Sequence, residues 1–68
     1  MKLGDKIKTA RLNLGWTQEE LAGQIQISAK TIHRIESGKV NPRAFTLRAL
    51  SEVLQVPLEE LKTSRDEF

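Results

Sequence analysis

Four basic side chains, spaced four or five residues apart in the middle of the chain, have the chemistry to bind a polyanion. They are Lys30, Arg34, Lys39 and Arg43. Residues 28–43 hold one acid beside these four bases, residues 1–16 also hold four bases and one acid, and segments 17–27 and 44–68 are net acidic. The overall charge of +2 therefore hides two basic regions, which favour a nucleic-acid partner. On charge alone, ordinary solvated surface charge remains the alternative.

The single histidine, His33, lies in the same region and has the side-chain chemistry of a catalytic base or a metal ligand. The chain has no cysteine, and the sequence reveals no carboxylate constellation around His33. The sequence also lacks a catalytic nucleophile paired with a general base, a phosphate-binding loop and metal-ligand spacing. We therefore expect neither an enzyme nor a cofactor or metal, and we predict that His33 is an exposed helix residue near DNA.

Two helix start signals position these side chains. Thr17 and Glu20 have the spacing of a capping box, and Ser28 is suited to cap the next helix, which Gly38 would end. The helical period leaves four side chains on the outer face of that second helix: Ala29, Lys30, His33 and Arg34. Two short helices joined by a turn, the second presenting polar side chains, predict a helix-turn-helix DNA reader.

Apolar residues recur at helical spacing along most of the chain, without the alternation typical of a strand. The predicted helices span residues 3–14, 17–25, 28–37, 43–54 and 57–62. They indicate an all-α, compact five-helix bundle that forms a single domain over residues 1–68. Because no apolar run is long enough for a signal peptide or a membrane span, and because cysteine is absent, we expect a cytoplasmic protein that does not enter a membrane.

Along residues 3–62 the sequence resembles helix-turn-helix domains of the phage-repressor, or xenobiotic-response-element, type. The resemblance rests on Arg11, TQEELA at 17–22, Ile32, IESGK at 35–39, Asn41-Pro42, and the closing Leu54, Val56, Leu58 and Leu61. It implies a lambda-repressor-like fold in which the helix that begins at Ser28 lies in the major groove of double-stranded DNA.

The resemblance also implies a role for individual side chains. Gln18 would bind a phosphate at the start of its helix and brace the helix that follows. Lys39 and Arg43 would contact the sugar-phosphate backbone, and Asn41 would either contact a phosphate or cap the fourth helix. Base edges or nearby phosphates would be contacted by Ser28, Ala29, Lys30 and Arg34.

Four further positions bear on the architecture. In relatives, the positions of Arg11 and Glu36 form a partly buried ion pair, so both residues are expected to stabilise the fold rather than to read DNA. Gln26 and Gln55 stand where the family usually carries glycine in turns that often need a positive φ. Either the cost of a left-handed glutamine is tolerated, or these turns relax.

Two aromatic residues are candidates for contacts between protein chains. Phe45 stands where relatives often carry a polar residue, and Phe68 ends the sequence. Either residue could belong to a dimer interface, and Phe45 could instead pack on Val40.

These observations predict a sequence-specific DNA-binding transcriptional regulator, a repressor that binds a palindromic operator as a homodimer. The alternative is an antitoxin, or the DNA-reading module of a larger chain, whose main ligand is a partner protein. An exposed apolar groove between the fourth and fifth helices would favour that alternative.

Overall fold

Five α-helices joined by short turns make up the computed structural model, which describes residues 2–63. The helices are α1 (Leu3–Asn13), α2 (Gln18–Ile25), α3 (Ala29–Glu36), α4 (Ala44–Leu54) and α5 (Leu58–Thr63). No strand occurs within residues 2–63, and the predicted all-α, five-helix fold is confirmed. None of the helices in this range is long and apolar enough to cross a membrane. Phe68 lies outside the described residues.

Four of the helices, α2 to α5, begin one residue later than predicted. Thr17, Ser28 and Arg43 have extended backbones and are the N-cap residues of α2, α3 and α4. An N-cap residue lies outside the helical dihedral region while its carbonyl already accepts the first helical hydrogen bond. The predicted starts at 17, 28 and 43 therefore mark cap residues rather than helical ones.

All five helices contribute to one hydrophobic core. Its buried members are Leu3, Ile7, Leu21, Ala22, Ile32, Ile35, Leu47, Leu50, Leu54 and Leu61. Leu14 and Ala44 share the helical spacing of the apolar residues in their helices, but both are exposed. Leu14 is the C-cap of α1 and is 40% exposed, and Ala44 is the first residue of α4. Both lie at a helix end, where a position that follows the helical period no longer faces the core.

The starts of α2 and α3 have the predicted caps. In the capping box, the Glu20 N–H donates to Thr17 Oγ1 at 3.0 Å, and the Thr17 N–H donates to Glu20 Oε1 at 2.8 Å. At the next helix the Thr31 N–H donates to Ser28 Oγ at 3.1 Å. These bonds satisfy amide groups that have no partner within the helix, so they fix where α2 and α3 begin.

Gln26 and Gln55 adopt left-handed conformations, with φ of 59° and 58°. The turns therefore do not relax, and the chain tolerates a strain of about 1 kcal/mol at each position. After Gln26, the Ile27 N–H donates to the Ala22 carbonyl at 3.1 Å, which closes the end of α2. The left-handed Gln26 thus forms the turn between α2 and α3 that a glycine would otherwise form.

We expect Gln26→Gly to raise the free energy of unfolding by about 0.5 to 1 kcal/mol, because glycine adopts a positive φ without steric cost. Gln24→Gly is the matched control, since Gln24 is exposed inside α2 and glycine there should lower stability by up to about 1 kcal/mol. Urea denaturation followed by circular dichroism measures both changes. A loss of stability in Gln26→Gly would show that this turn carries no strain.

Candidate nucleic-acid interface

The outer face of α3 presents the basic side chains that the helical period predicted. Lys30, His33 and Arg34 are exposed, and His33 and Arg34 lie in the last turn of the helix. Ala29 differs from the prediction, because it is only partly exposed and packs against the hydrophobic core. The Ala29 methyl therefore lies at the edge of the outer face.

Ser28 is exposed at the start of this face, and its hydroxyl group already has two partners. Ser28 Oγ accepts the Thr31 N–H and lies 2.9 Å from Thr31 Oγ1. The hydroxyl therefore caps α3, and any contact with DNA must share it with the cap. This arrangement fixes the rotamer of Ser28 before a ligand arrives.

The loop between α3 and α4 places two further cations beside the helix. Gly38 has a φ of +80°, and the Lys39 N–H donates to the Arg34 carbonyl at 2.9 Å, so the loop turns sharply at the end of α3. Lys39 and Arg43 are exposed, whereas Asn41 is partly buried. Because Arg43 holds the N-cap position of α4, Asn41 is not the cap residue that one of its two predicted roles required.

A buried hydrogen-bond network joins α1, α2 and α3 beneath this surface. Arg11 donates from Nε to Glu36 Oε2 at 2.7 Å, from Nη2 to Glu36 Oε1 at 3.1 Å, and from Nη1 to the Trp16 carbonyl at 2.7 Å. Gln18 donates from Nε2 to Glu36 Oε1 at 3.0 Å. The expected ion pair is present, and Gln18 braces α3 through it.

Arg11 and Glu36 are the buried charged residues of the described chain, at 6% and 8% exposure. The hydrogen bonds to Glu36 and its negative charge raise the pKa of Arg11 above its usual value, although burial acts in the opposite direction. Arg11 is therefore positively charged near neutral pH. The paired charges and the complete hydrogen bonding compensate the cost of burial.

A polar concavity opens where α1, α2 and α3 meet, and it is lined by Lys8, Gln18, His33, Glu36 and Ser37. Sequence reasoning missed Lys8 and Ser37 as members of the interface. A signal for Lys8 existed, because it precedes Arg11 by three residues and so shares the face of α1 that meets α3.

An apolar groove lies along the opposite edge of α3. Its lining includes Ile27, Thr31 and Ile35 of the helix-turn-helix, and Val40 and Phe45 beyond it. Phe45 is 70% exposed and Val40 is 37% exposed, and both side chains border the groove.

The space between α4 and α5 is much smaller than the groove that the partner-protein alternative anticipated. It is a cavity of about 70 Å³, lined by Ala44, Leu47, Arg48, Leu58 and Lys62. The apolar groove beside α3 is therefore the larger of these two spaces.

Three comparisons identify relatives of this chain. The helix-turn-helix family matches residues 7–61. The HTH-type transcriptional activator BcrR of Enterococcus faecalis is 32% identical over 66 residues, which are 97% of this chain and 32% of BcrR. An uncharacterized HTH-type transcriptional regulator of Archaeoglobus fulgidus is 34% identical over 62 residues, covering 91% of this chain and 89% of that protein.

The fold is similar to that of a solved DNA complex. The match is to the crystal structure of Bacillus thuringiensis PlcR in complex with the peptide PapR7 and DNA, with a TM-score of 0.85 and 35% identity. It covers 93% of this chain and 22% of the PlcR chain. The chain thus spans about a third of BcrR and about a fifth of PlcR, and most of the A. fulgidus protein.

Proposed function

The chain belongs to the helix-turn-helix family, and on that premise we propose that it is a sequence-specific DNA-binding transcriptional regulator whose helix α3 lies in the major groove. The observation that carries the proposal is the basic outer face of α3, where Lys30, His33 and Arg34 are exposed above the buried Arg11–Glu36 pair. A rigid helix with exposed cations can meet base edges at fixed positions.

The proposed contacts fall into two groups. Lys30 and Arg34 read bases, because both can donate to guanine O6 and N7 in the major groove. Ser28, Ala29 and His33 flank them on α3. The second group contacts the DNA backbone and fixes the register of the protein on the duplex. It consists of Gln18, Lys39, Asn41 and Arg43. A preference for guanine in each half-site follows from the chemistry of the first group.

A second copy of the chain is the proposed partner on DNA. One domain of this size reads too few base pairs to compete with the many non-specific sites of a genome. Two copies related by a two-fold axis would bind a palindromic operator, with half-sites about one helical turn apart.

Selection from a random duplex library at about 150 mM salt tests this proposal. We expect a palindromic, guanine-containing consensus that binds at least about a thousandfold more tightly than scrambled DNA. An asymmetric consensus of a single half-site would overturn the homodimer, and no enrichment would overturn sequence-specific binding by this chain alone.

Two alanine substitutions should separate reading from backbone contact. Arg34→Ala should relax the preference at one base position by about 1 to 3 kcal/mol. Lys39→Ala should weaken binding to all sequences alike and make the negative slope of log K against log salt shallower by about one. Fluorescence anisotropy with the selected operator and single-base variants measures both effects. If both variants lost affinity uniformly with unchanged base preference, Arg34 would not be a reading residue.

Repression by occupancy is the proposed regulatory outcome. A protein bound across a promoter excludes the polymerase, and this effect needs no further contact. The relative from E. faecalis is named as an activator, so activation is the competing outcome. A reporter driven by a promoter that contains the selected operator should lose expression when the chain is produced, and a gain would overturn repression.

A partner protein as the main ligand is the second candidate. The exposed Phe45 beside the apolar groove favours it, because a large exposed aromatic residue next to a groove is typical of an interaction surface. The groove lies beside α3. A partner bound there would either compete with DNA for this helix or fix the positions of the side chains that contact DNA. Failure of the chain to bind any duplex by itself would favour this candidate.

A further inference from the structure

The outer face of α4 combines an exposed aromatic residue with a charge of each sign. Phe45, Arg48, Ala49 and Glu52 recur at spacings of three and four residues, so they share one side of the helix. Ala49 is half-buried and the other three residues are exposed, with 70% of Phe45 accessible to solvent. This face is therefore open to a partner, while the opposite side of α4 holds its core residues, Leu47, Leu50 and Leu54.

The two charges of this face have no ion-pair partner within residues 2–63. The ion pairs of that range are those of Arg11 with Glu36 and of Lys62 with Glu59. Arg48 lines the cavity towards α5, and Glu52, one helical turn later, follows the same edge of the face. Both charges are thus available to a second molecule.

The order of these charges decides which symmetric contact they favour. A two-fold axis parallel to α4 would place each charge beside its own copy, which is repulsive. A two-fold axis perpendicular to α4 makes the two helices antiparallel. If that axis is level with Leu50, Arg48 of each copy lies opposite Glu52 of the other. The rotation keeps the charged edges of both helices on the same side of the contact, so the face is complementary to itself.

The apolar side chains fit the same arrangement. Ala49 lies next to the axis, and its small side chain allows the two helix axes to approach to about 8 Å. Phe45 and the half-buried Val53 lie on opposite sides of the axis within one chain. The antiparallel contact therefore brings Phe45 of each copy to within about 3 Å, measured along the helix, of Val53 of the other. Phe45 is then removed from water by the second copy.

We propose that the outer face of α4 is the dimer contact of this chain, and that its occupant is the same face of a second copy in antiparallel orientation. The contact rests on the proposed function, because it is the interface of the homodimer proposed there. Its two-fold symmetry is of the kind that a palindromic operator requires.

Sedimentation equilibrium of the free chain at about 50 mM salt tests the apolar part of the contact without DNA. We expect a monomer–dimer equilibrium with a Kd below about 1 mM, and Phe45→Ala should raise this Kd at least about tenfold. Leu12→Ala is the matched control and should leave the Kd unchanged, because Leu12 is a 56% exposed apolar residue of α1. A monomeric wild type, or equal effects of the two substitutions, would overturn the contact and leave Phe45 to the partner protein considered above.

The charged part is tested by reversing the charges. Arg48→Glu and Glu52→Arg each place like charges opposite one another, so each should raise the Kd about tenfold. The double substitution Arg48→Glu with Glu52→Arg keeps the net charge and should restore the wild-type Kd. An equimolar mixture of the two single variants should likewise form a heterodimer, because both cross-helix pairs then join opposite charges. A double variant as weak as the single ones would contradict the antiparallel pairing. Circular dichroism verifies that each variant is folded.

The α4 contact and the proposed function fail in different ways. A chain that dimerises through Phe45 but binds no duplex would overturn the proposed function and leave the contact in place. On DNA, Phe45→Ala should weaken binding to the full palindrome and leave the affinity for a single half-site unchanged. A homodimer on the palindrome whose affinity is unaffected by Phe45→Ala would overturn the contact alone.

Discussion

Glu36→Ala is expected to lower the free energy of unfolding by about 3 to 5 kcal/mol, because it strands the charge of Arg11 in the protein interior. Arg11 would lose both of its hydrogen bonds to the carboxylate and keep only the one to the Trp16 carbonyl. Gln18 would lose its partner as well. Urea denaturation followed by circular dichroism measures the loss, which is a large share of the stability of a small domain.

The double substitution Arg11→Met with Glu36→Leu is the control for this prediction. It removes both charges and fills the space with apolar side chains, so we expect it to recover most of the stability that Glu36→Ala loses. A loss below about 1 kcal/mol in Glu36→Ala would contradict the prediction, because it would mean that water reaches Arg11 and replaces its partner.

Gly4→Ala is expected to lower the free energy of unfolding by about 2 to 3 kcal/mol. Gly4 is buried at the start of α1, where that helix meets the end of α3. A Cβ atom there would lie 2.7 Å from the Ile35 carbonyl oxygen and nearer still to that of Glu36. Both obstacles are backbone atoms, so the substitution must move one helix away from the other.

Gly23→Ala provides the matched control, since it makes the same chemical change inside a helix. A Cβ atom at Gly23 would meet nothing within 4 Å, and the residue is exposed in α2. Alanine there should raise stability by about 0.5 to 1 kcal/mol through its better helix propensity. Thermal denaturation of the two variants should therefore give shifts of opposite sign. A Gly4→Ala protein as stable as the wild type would disprove close contact between α1 and α3.

The local signals explain how much of the fold could be predicted. The caps at Thr17 and Ser28 each depend on two residues three positions apart. Both residues of each cap can therefore be identified in the sequence. The apolar period likewise identifies the faces that form the core. The need for a glycine at position 4 could not be predicted in this way, because it arises from carbonyl groups more than 30 positions away.

The candidate site divides along the same line. The exposed face of α3 follows from the helical period, so Lys30, His33 and Arg34 were predictable from sequence alone. The hydrogen bond from Gln18 to Glu36 and the place of Lys8 in the polar concavity depend on how α1 and α2 pack against α3. The resemblance to a family supplied the role of Gln18, but Lys8 emerged only once the three helices were placed together.

The hydrogen-bond network of Arg11, Gln18 and Glu36 also sets the thermodynamics of ligand binding. Helix α3 is held at its start by the Ser28 cap and at its end by Glu36, whose partner Arg11 lies 25 positions away along the chain. The helix is therefore ordered before it meets a ligand, and no folding step opposes binding. Calorimetry should then give a heat-capacity change set by the buried interface alone, without the additional contribution of coupled folding. Association should accordingly be as fast as electrostatically steered diffusion permits.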